Sequence, residues 1–177
     1  MISNSQLKNK KKKNKRENRK YTAIFCFTIV TLSLIVNFFA ELIVVSGPSM
    51  FPTFTNKQLL LAEKVSDNYS HNDVVVFENN KTILIKRIVA LPGDKVQITN
   101  KTLYINDQEA DDKFSGNIIY AGNASSPLIV PDDCYFVLGD NRNNSKDSRF
   151  DDVSFVKKSS IIGKKIISIK PLKALDK

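Results

Sequence analysis

Residues 73–106 read DVVVFENNKTILIKRIVALPGDKVQITNKTLYIN, and this stretch decides the fold. The apolar runs VVVF (74–77) and TILIKRIVA (82–90) flank Asn79-Asn80-Lys81, so they predict a long β-hairpin turning at the two Asn residues. Leu91-Pro92-Gly93-Asp94 breaks the pattern, and KVQIT and TLYIN around Asn100-Lys101 predict a second hairpin. Working outward, LIVV (42–45), CYFVLG (134–139) and IIGKKIISIK (161–170) read as further strands. Residues 107–127 are polar, with Gly116, Gly122 and a Ser-Ser-Pro, and read as an exposed excursion. Neither an amphipathic helix of convincing length nor an internal repeat follows residue 41. The expected body is mainly β.

The N-terminal end has a different composition. Residues 1–20 hold nine of the 27 Lys and Arg residues with only Glu17 opposing them, so residues 21–177 carry 18 basic and 17 acidic side chains. The net charge of +9 is therefore almost wholly a property of the tail. Next comes YTAIFCFTIVTLSLIVNFFA (21–40), twenty residues without a charge. At about 1.5 Å per helical residue they reach roughly 30 Å, the thickness of a bilayer core. Thr and Ser within the run can bond back to the helix backbone. By the positive-inside rule the basic flank stays in the cytosol. A cleaved signal peptide ending at Ala40 would need a small residue where Phe38 stands. The expected organisation is a basic cytoplasmic tail (1–20), an uncleaved transmembrane anchor (21–40) and an extracytoplasmic domain (41–177). A Lys-rich run abutting an apolar span reads as a topology signal, so nucleic acid is not an expected partner.

Composition excludes several chemistries. One His and two Cys are too few for a tetrahedral zinc site. Zinc-protease, dinucleotide and P-loop signatures are absent. Cys26 and Cys134 stand too far apart in character and sequence to be expected to pair. The length suits one compact domain plus an appendage.

Three segments look unlike scaffold. In Ser46-Gly47-Pro48-Ser49-Met50-Phe51-Pro52-Thr53 a strand ends in a turn that exposes a hydroxyl beside free backbone N–H groups. Acyl transfer needs that pairing of nucleophile and oxyanion donors. In Ile83-Leu84-Ile85-Lys86-Arg87-Ile88-Val89 a charged pair sits inside an apolar strand, so Lys86 and Arg87 face opposite sides and one should be buried. A Lys serves as a base only with a lowered pKa. At about 10.4 only a few in ten thousand are neutral at pH 7, whereas at about 8 roughly one in ten is. The difference is about 3 kcal/mol, within what apolar walls can supply, and Ile83, Ile85, Ile88 and Val89 are candidate walls. The third segment, Gly139 to Arg149 (GDNRNNSKDSR), is a dense polar loop in which Asp147 with Arg149, and Asp140 with Arg142, can form charge-assisted bonds. Its three basic side chains oppose a calcium site.

Together these segments resemble the bacterial type I signal peptidases, of the compact single-anchor kind found in Gram-positive bacteria. SGPSMFPT resembles the nucleophile box, KRIVALPGD the base box and GDNRNNSKDSR the third signature. The resemblance implies an antiparallel β-sheet catalytic domain behind one N-terminal transmembrane helix. It implies a Ser–Lys dyad with Ser49 as nucleophile and Lys86 as general base. Ser145 matches the hydroxyl that orients the Lys, and Asp140, Asp147 and Arg149 match residues that hold the site together. The implied oxyanion donor is the Ser49 backbone N–H. Gly47 stands where some members carry an additional Ser. The implied substrates are signal peptides of exported preproteins, bound extended between stretches near 43–47 and 83–86. Pockets there would select small residues at positions −1 and −3, as in Ala-x-Ala. No metal or cofactor is implied, and the lipid bilayer is the other partner. After Arg149 the family usually continues with a nearby Gly, whereas this chain reads Phe150-Asp151-Asp152. The short interval between Asp94 and Gly139 limits any accessory β subdomain to a small one.

His71 lies in a Tyr-Ser-His-Asn-Asp loop expected to be solvated. A self-cleaving Ser–Lys repressor protease would share the 37-residue Ser-to-Lys interval, but residues 1–40 form no helix-turn-helix. A peptidase devoted to pilins, or a silent secretion or pilus-assembly chaperone of the same fold, are the remaining alternatives.

Overall fold

A computed structural model describes residues 4–64, 68–114 and 116–169. The chain divides between Phe39 and Ala40 into two compact units. The first is one continuous helix, α1 (Asn4–Phe39). Its segment Glu17–Phe39 is long and apolar enough to cross a membrane. Thr22, Thr28 and Thr31 donate their hydroxyls to the carbonyls of Asn18, Phe25 and Phe27 at 2.8–3.0 Å, which removes their polarity from the helix surface.

The second unit is built from strands: β1 (Ala40–Val44), β2 (Leu59–Glu63), β3 (Val74–Asn79), β4 (Thr82–Ala90), β5 (Lys95–Thr99), β6 (Thr102–Ile105), β7 (Gln108–Glu109), β8 (Leu128–Ile129), β9 (Cys134–Leu138), β10 (Val156–Lys157) and β11 (Ile161–Ile169). The larger sheet has the order β1-β2-β11-β3-β4-β9-β10 and the smaller one β7-β6-β5-β8, every pair antiparallel. The body is thus mainly antiparallel β, as expected, with only two 3-10 turns as helical elements among the described residues of this unit. Residue 170, expected to end the last strand, lies outside the described residues.

Both expected hairpins form, and the backbone shows why. Asn80 and Lys81 take φ of 48° and 65°, and Asn100 and Lys101 repeat the same pair of values. Two successive positive φ angles match the right-handed twist of the flanking strands, and Asn tolerates them best. The first turn is thereby centred on Asn80-Lys81 rather than on the two Asn residues. Asn106 and Asp107, at 51° and 65°, make a third such turn into β7. TLYIN therefore does not run straight into an excursion at 107, as the polar sequence there predicts, but turns back on itself. The sequence also hides β2, since LLLAE lacks the alternation that marks a half-buried strand.

Three apolar clusters fill the body. Val89, Val96, Leu103 and Phe136 join the small sheet to the large one. Val75, Phe77, Ile88 and Val137 pack a second cluster, and Val45, Met50, Leu60, Val76 and Ile85 a third. The excursion is not wholly exposed, because Ile118 and Ala124 are buried in the first of these. Both thiols are free.

Candidate active site

Ser49 sits where β1 has ended and the chain must turn. Gly47 adopts φ of 88°, a left-handed value that suits glycine, and its N–H donates to Asn56 Oδ1 at 3.0 Å. Phe51 N–H returns to Pro48 O at 3.0 Å and Phe54 N–H to Met50 O at 2.9 Å. Met50 is 1% exposed, so an apolar side chain anchors the turn directly beside the hydroxyl. Burial of that kind contributes about 1.5–3 kcal/mol.

Lys86 arrives from β4, opposite Val75 of β3. It is 2% exposed, and its Nζ donates to Ser49 Oγ at 2.8 Å and to the Ile85 carbonyl at 2.9 Å. Burial lowers its pKa to about 8, against the opposing pull of Asp147 and Asp140. Ile83 and Ile85 line the adjoining cleft, while Ile88 and Val89 pack into the other two clusters. Arg87 is largely covered as well, its side chain 12% exposed. Of the pair, Lys86 is thus the buried member, while Arg87 keeps partial exposure on the opposite side of the strand.

The loop after β9 fixes both partners. Asp147, fully buried, accepts the Gly139 N–H at 3.0 Å and is gripped by Arg149 Nε at 2.7 Å and Nη2 at 2.8 Å. This is the Asp147–Arg149 pair the sequence suggests. Asp140 pairs differently from expectation. Its oxygens accept from Arg87 Nε at 2.7 Å and Nη2 at 2.6 Å, and from the Thr53 hydroxyl. Arg142 instead bonds Asp112 and the Gly139 carbonyl. A neighbour in sequence lost to a partner across the fold because Arg87, from the next strand, presents its planar fork to the carboxylate.

Asn141 closes the arrangement. Its N–H donates to the Ser49 carbonyl at 3.0 Å and its Nδ2 to the Pro48 carbonyl at 3.2 Å. Gly139 lies against the same point: a Cβ there would overlap Ser145 Oγ and stand 2.6 Å from the Ser49 carbonyl oxygen. Ser145 Oγ is buried and makes no hydrogen bond among the described residues. No backbone hydrogen bond among them uses the Ser49 N–H. Arg87, Thr53, Asn141 and Gly139 escaped the sequence reading as supporting residues, although all four lie inside the quoted boxes.

A cleft of about 100 Å³ adjoins the pair, lined by Ile43, Val44, Val45 and Ser46 on one side and Ile83 to Lys86 on the other. Both walls are free edges. Among the described residues β1 pairs only with β2, and β9 pairs with β4 only from Arg87 onward, leaving residues 82–86 unpaired on that flank.

His71 is recruited elsewhere, its Nε2 lying 2.7 Å from Asp94 Oδ2. Burial would raise the Asp94 pKa, but bonds from the Leu91 N–H, Asn106 and His71 outweigh it and hold the carboxyl low. Among the described residues no group of three or more His, Cys, Asp or Glu could hold a metal ion.

Comparison with known proteins places the chain among the peptidases. The family model described as "Signal peptidase, peptidase S26" matches residues 18–169. The chain belongs to this family of signal peptidases, and so to the hydrolases that cut peptide bonds. It is 32% identical over 155 residues to Signal peptidase I S of Bacillus subtilis (strain 168), covering 81% of this chain and 84% of that one. It is 34% identical over 171 residues to Signal peptidase I of Bacillus caldolyticus, covering 87% and 91%. A crystal structure of a signal peptidase I from Enterococcus faecalis V583 matches with a TM-score of 0.48 at 32% identity, over 56% of this chain and 98% of that one.

Proposed function

We propose that the chain is a membrane-bound serine endopeptidase that removes N-terminal signal peptides from exported preproteins, using Ser49 as nucleophile and Lys86 as general base. The observation that carries this is the 2.8 Å approach of Ser49 Oγ to a Lys amine that is 2% exposed and whose pKa is lowered to about 8. A neutral amine at that distance accepts the hydroxyl proton as Oγ attacks the scissile carbonyl carbon. The developing oxyanion meets the unengaged Ser49 N–H. As the intermediate collapses, the C–N bond breaks, and the Lys86 ammonium returns its proton to the departing amine of the mature protein. Lys86 next deprotonates a water, which attacks the Ser49 ester. The ester C–O bond breaks, the Lys86 ammonium returns the proton to Ser49 Oγ, and the signal peptide leaves as a carboxylic acid that ionises in water.

Asp147 with Arg149 and Asp140 with Arg87 hold the loop against Ser49. Ser145, whose buried Oγ has no partner among the described residues, orients the Lys86 amine only once the two come together in the working complex. The two free edges bordering the cleft suit an extended peptide that adds a strand between them. The cleft's small volume and apolar lining favour small residues at positions −1 and −3. The apolar helix with its basic flank supports a single-pass anchor (21–40), a cytoplasmic tail (1–20) and an extracytoplasmic peptidase domain (41–177).

The test is cleavage of an Ala-x-Ala preprotein by the detergent-solubilised full chain beside Ser49→Ala and Lys86→Ala. Cutting after the small residue by the parent alone supports the dyad. Full activity in Lys86→Ala ends it. A folded parent silent on several preproteins would point instead to a dedicated substrate or a chaperone.

A further inference from the structure

A second concavity borders the site on the loop's other flank. It holds about 680 Å³ and is lined by Tyr120, Ser145, Lys146, Phe150, Asp151 and Asp152 among others, sharing no residue with the cleft beside Ser49. Ser145 is one of its lining residues. A Cβ at Gly139 would overlap Ser145 Oγ and stand 2.6 Å from the Ser49 carbonyl oxygen, so this lining residue lies close to the Ser49 backbone. A substrate whose acyl half fills the cleft between β1 and β4 has to place the rest of its chain elsewhere, and the groove at Ser145 is a concavity that this half leaves open.

The outer wall is fixed rather than floppy. Asn143 Oδ1 accepts the Ile119 N–H and its Nδ2 donates to the Asn117 carbonyl, both at 2.9 Å. Arg149 Nη1 donates to the Tyr120 carbonyl at 3.0 Å, and Asn123 N–H to the Arg149 carbonyl at 2.9 Å. The same Arg149 that clamps Asp147 thus docks the 117–123 segment. That docking presents Tyr120 to Phe150, ring centroids 4.9 Å apart.

The chemistry of the wall is specific. Two aromatic rings lie beside the carboxylates of Asp151 and Asp152, of which Asp152 pairs with Lys146 and both are exposed. One negative charge remains over. Aromatic faces beside a carboxylate suit a cationic side chain, which gains from ring and charge together. Resting on the peptidase reading above, we infer that this groove receives the mature side of the preprotein, the residues just after the cleaved bond, and that it selects Lys or Arg there over Glu or Asp.

The experiment uses the detergent-solubilised full chain and fluorogenic peptides that share one Ala-x-Ala half. Lys or Glu is placed in turn at each of the first four positions after the cut, in an alanine background. Preference is the kcat/KM ratio of the Lys to the Glu peptide, which cancels any difference in folded fraction between preparations. The parent should prefer Lys by about fivefold at one position at least, the scale of an exposed charge contact with a ring contribution. That preference should shrink in 0.5 M salt, collapse toward unity in Asp151→Asn, which leaves Asp152 and Lys146 to balance, and invert in Asp151→Lys. Equal cleavage of Lys and Glu peptides by the parent, or a ratio unmoved in both variants, overturns the groove while leaving the dyad standing. A folded parent that cuts none of the peptides, alanine included, overturns the peptidase reading and the groove with it.

Discussion

Arg87 holds Asp140 through two parallel hydrogen bonds, 2.7 Å from Nε to Oδ1 and 2.6 Å from Nη2 to Oδ2. The pair joins the strand that carries Lys86 to the loop that carries Asn141, and Asn141 in turn holds the Ser49 carbonyl. The Ser49 hydroxyl and the Lys86 amine therefore share one rigid frame.

Arg87→Ala should be costly out of proportion to its surface. It leaves the fully covered Asp140 carboxylate without its cation, and breaking a buried pair costs about 3–5 kcal/mol. Urea unfolding would read this directly. Arg87→Lys should recover only part of the loss, because an ammonium cannot reproduce the two-pronged contact. A variant as stable as the parent would show that the pair is dispensable.

Activity should follow the deprotonation of Lys86. With the amine's pKa lowered to about 8, kcat/KM is expected to climb about tenfold per pH unit below that value and to level off above it. The stability consequence has a definite sign. A folded pKa below the unfolded one means the unfolded chain binds more protons between about 8 and 10.5, so this group makes the fold more stable as pH rises through that window. Below it the charged amine is buried at a cost of about 3 kcal/mol. Lys86→Met should consequently raise Tm at pH 7, with the gain shrinking toward pH 10, while cleavage is lost.

Gly139→Ala tests the close approach at the site. The new methyl would overlap Ser145 Oγ and press on the Ser49 carbonyl, which is backbone and cannot swing away. Overpacking of this kind costs about 1–3 kcal/mol, and the displaced Ser49 should lower kcat far more than it raises KM. Unchanged kcat in a folded Gly139→Ala variant would contradict this.

Asp112 lies outside the three motifs yet should matter for stability. It and Arg142 are almost fully covered, their side chains 5% and 4% exposed. The Phe114 ring lies 5.9 Å from the Arg142 guanidinium and 5.4 Å from that of Arg87. Asp112→Ala leaves a buried guanidinium, whose Nη1 already lacks a partner among the described residues, with a second unpaired nitrogen. A loss of about 3 kcal/mol is expected in urea unfolding.

Much of the architecture was legible because it is written locally. Asn-Lys turns announce hairpins, and an uncharged run behind a basic tail announces a helix fit for a bilayer. The strand LLLAE was not legible, since its half-exposed face carries Leu59 and Leu61, as apolar as Leu60 and Ala62 on the buried face, so the sequence shows no alternation. Ser49 and Lys86 stood out by residue type in improbable places, a hydroxyl on a Pro/Gly turn and a Lys within an apolar strand. The partner of Asp140 did not, because ion pairing depends on which guanidinium arrives with the right fork geometry.

By itself the sequence determined the mainly β class, the apolar helix, the family resemblance and the pair of residues to watch, for these rest on periodicity, charge runs and short motifs. Only the tertiary structure decided that Lys86 lies 2.8 Å from Ser49, that Arg87 rather than Arg142 serves Asp140, and that the 117–123 segment walls a groove beside the site. Those relations join residues tens of positions apart. Their energies come from burial and from distance in space, and neither exists until the sheets have closed around them.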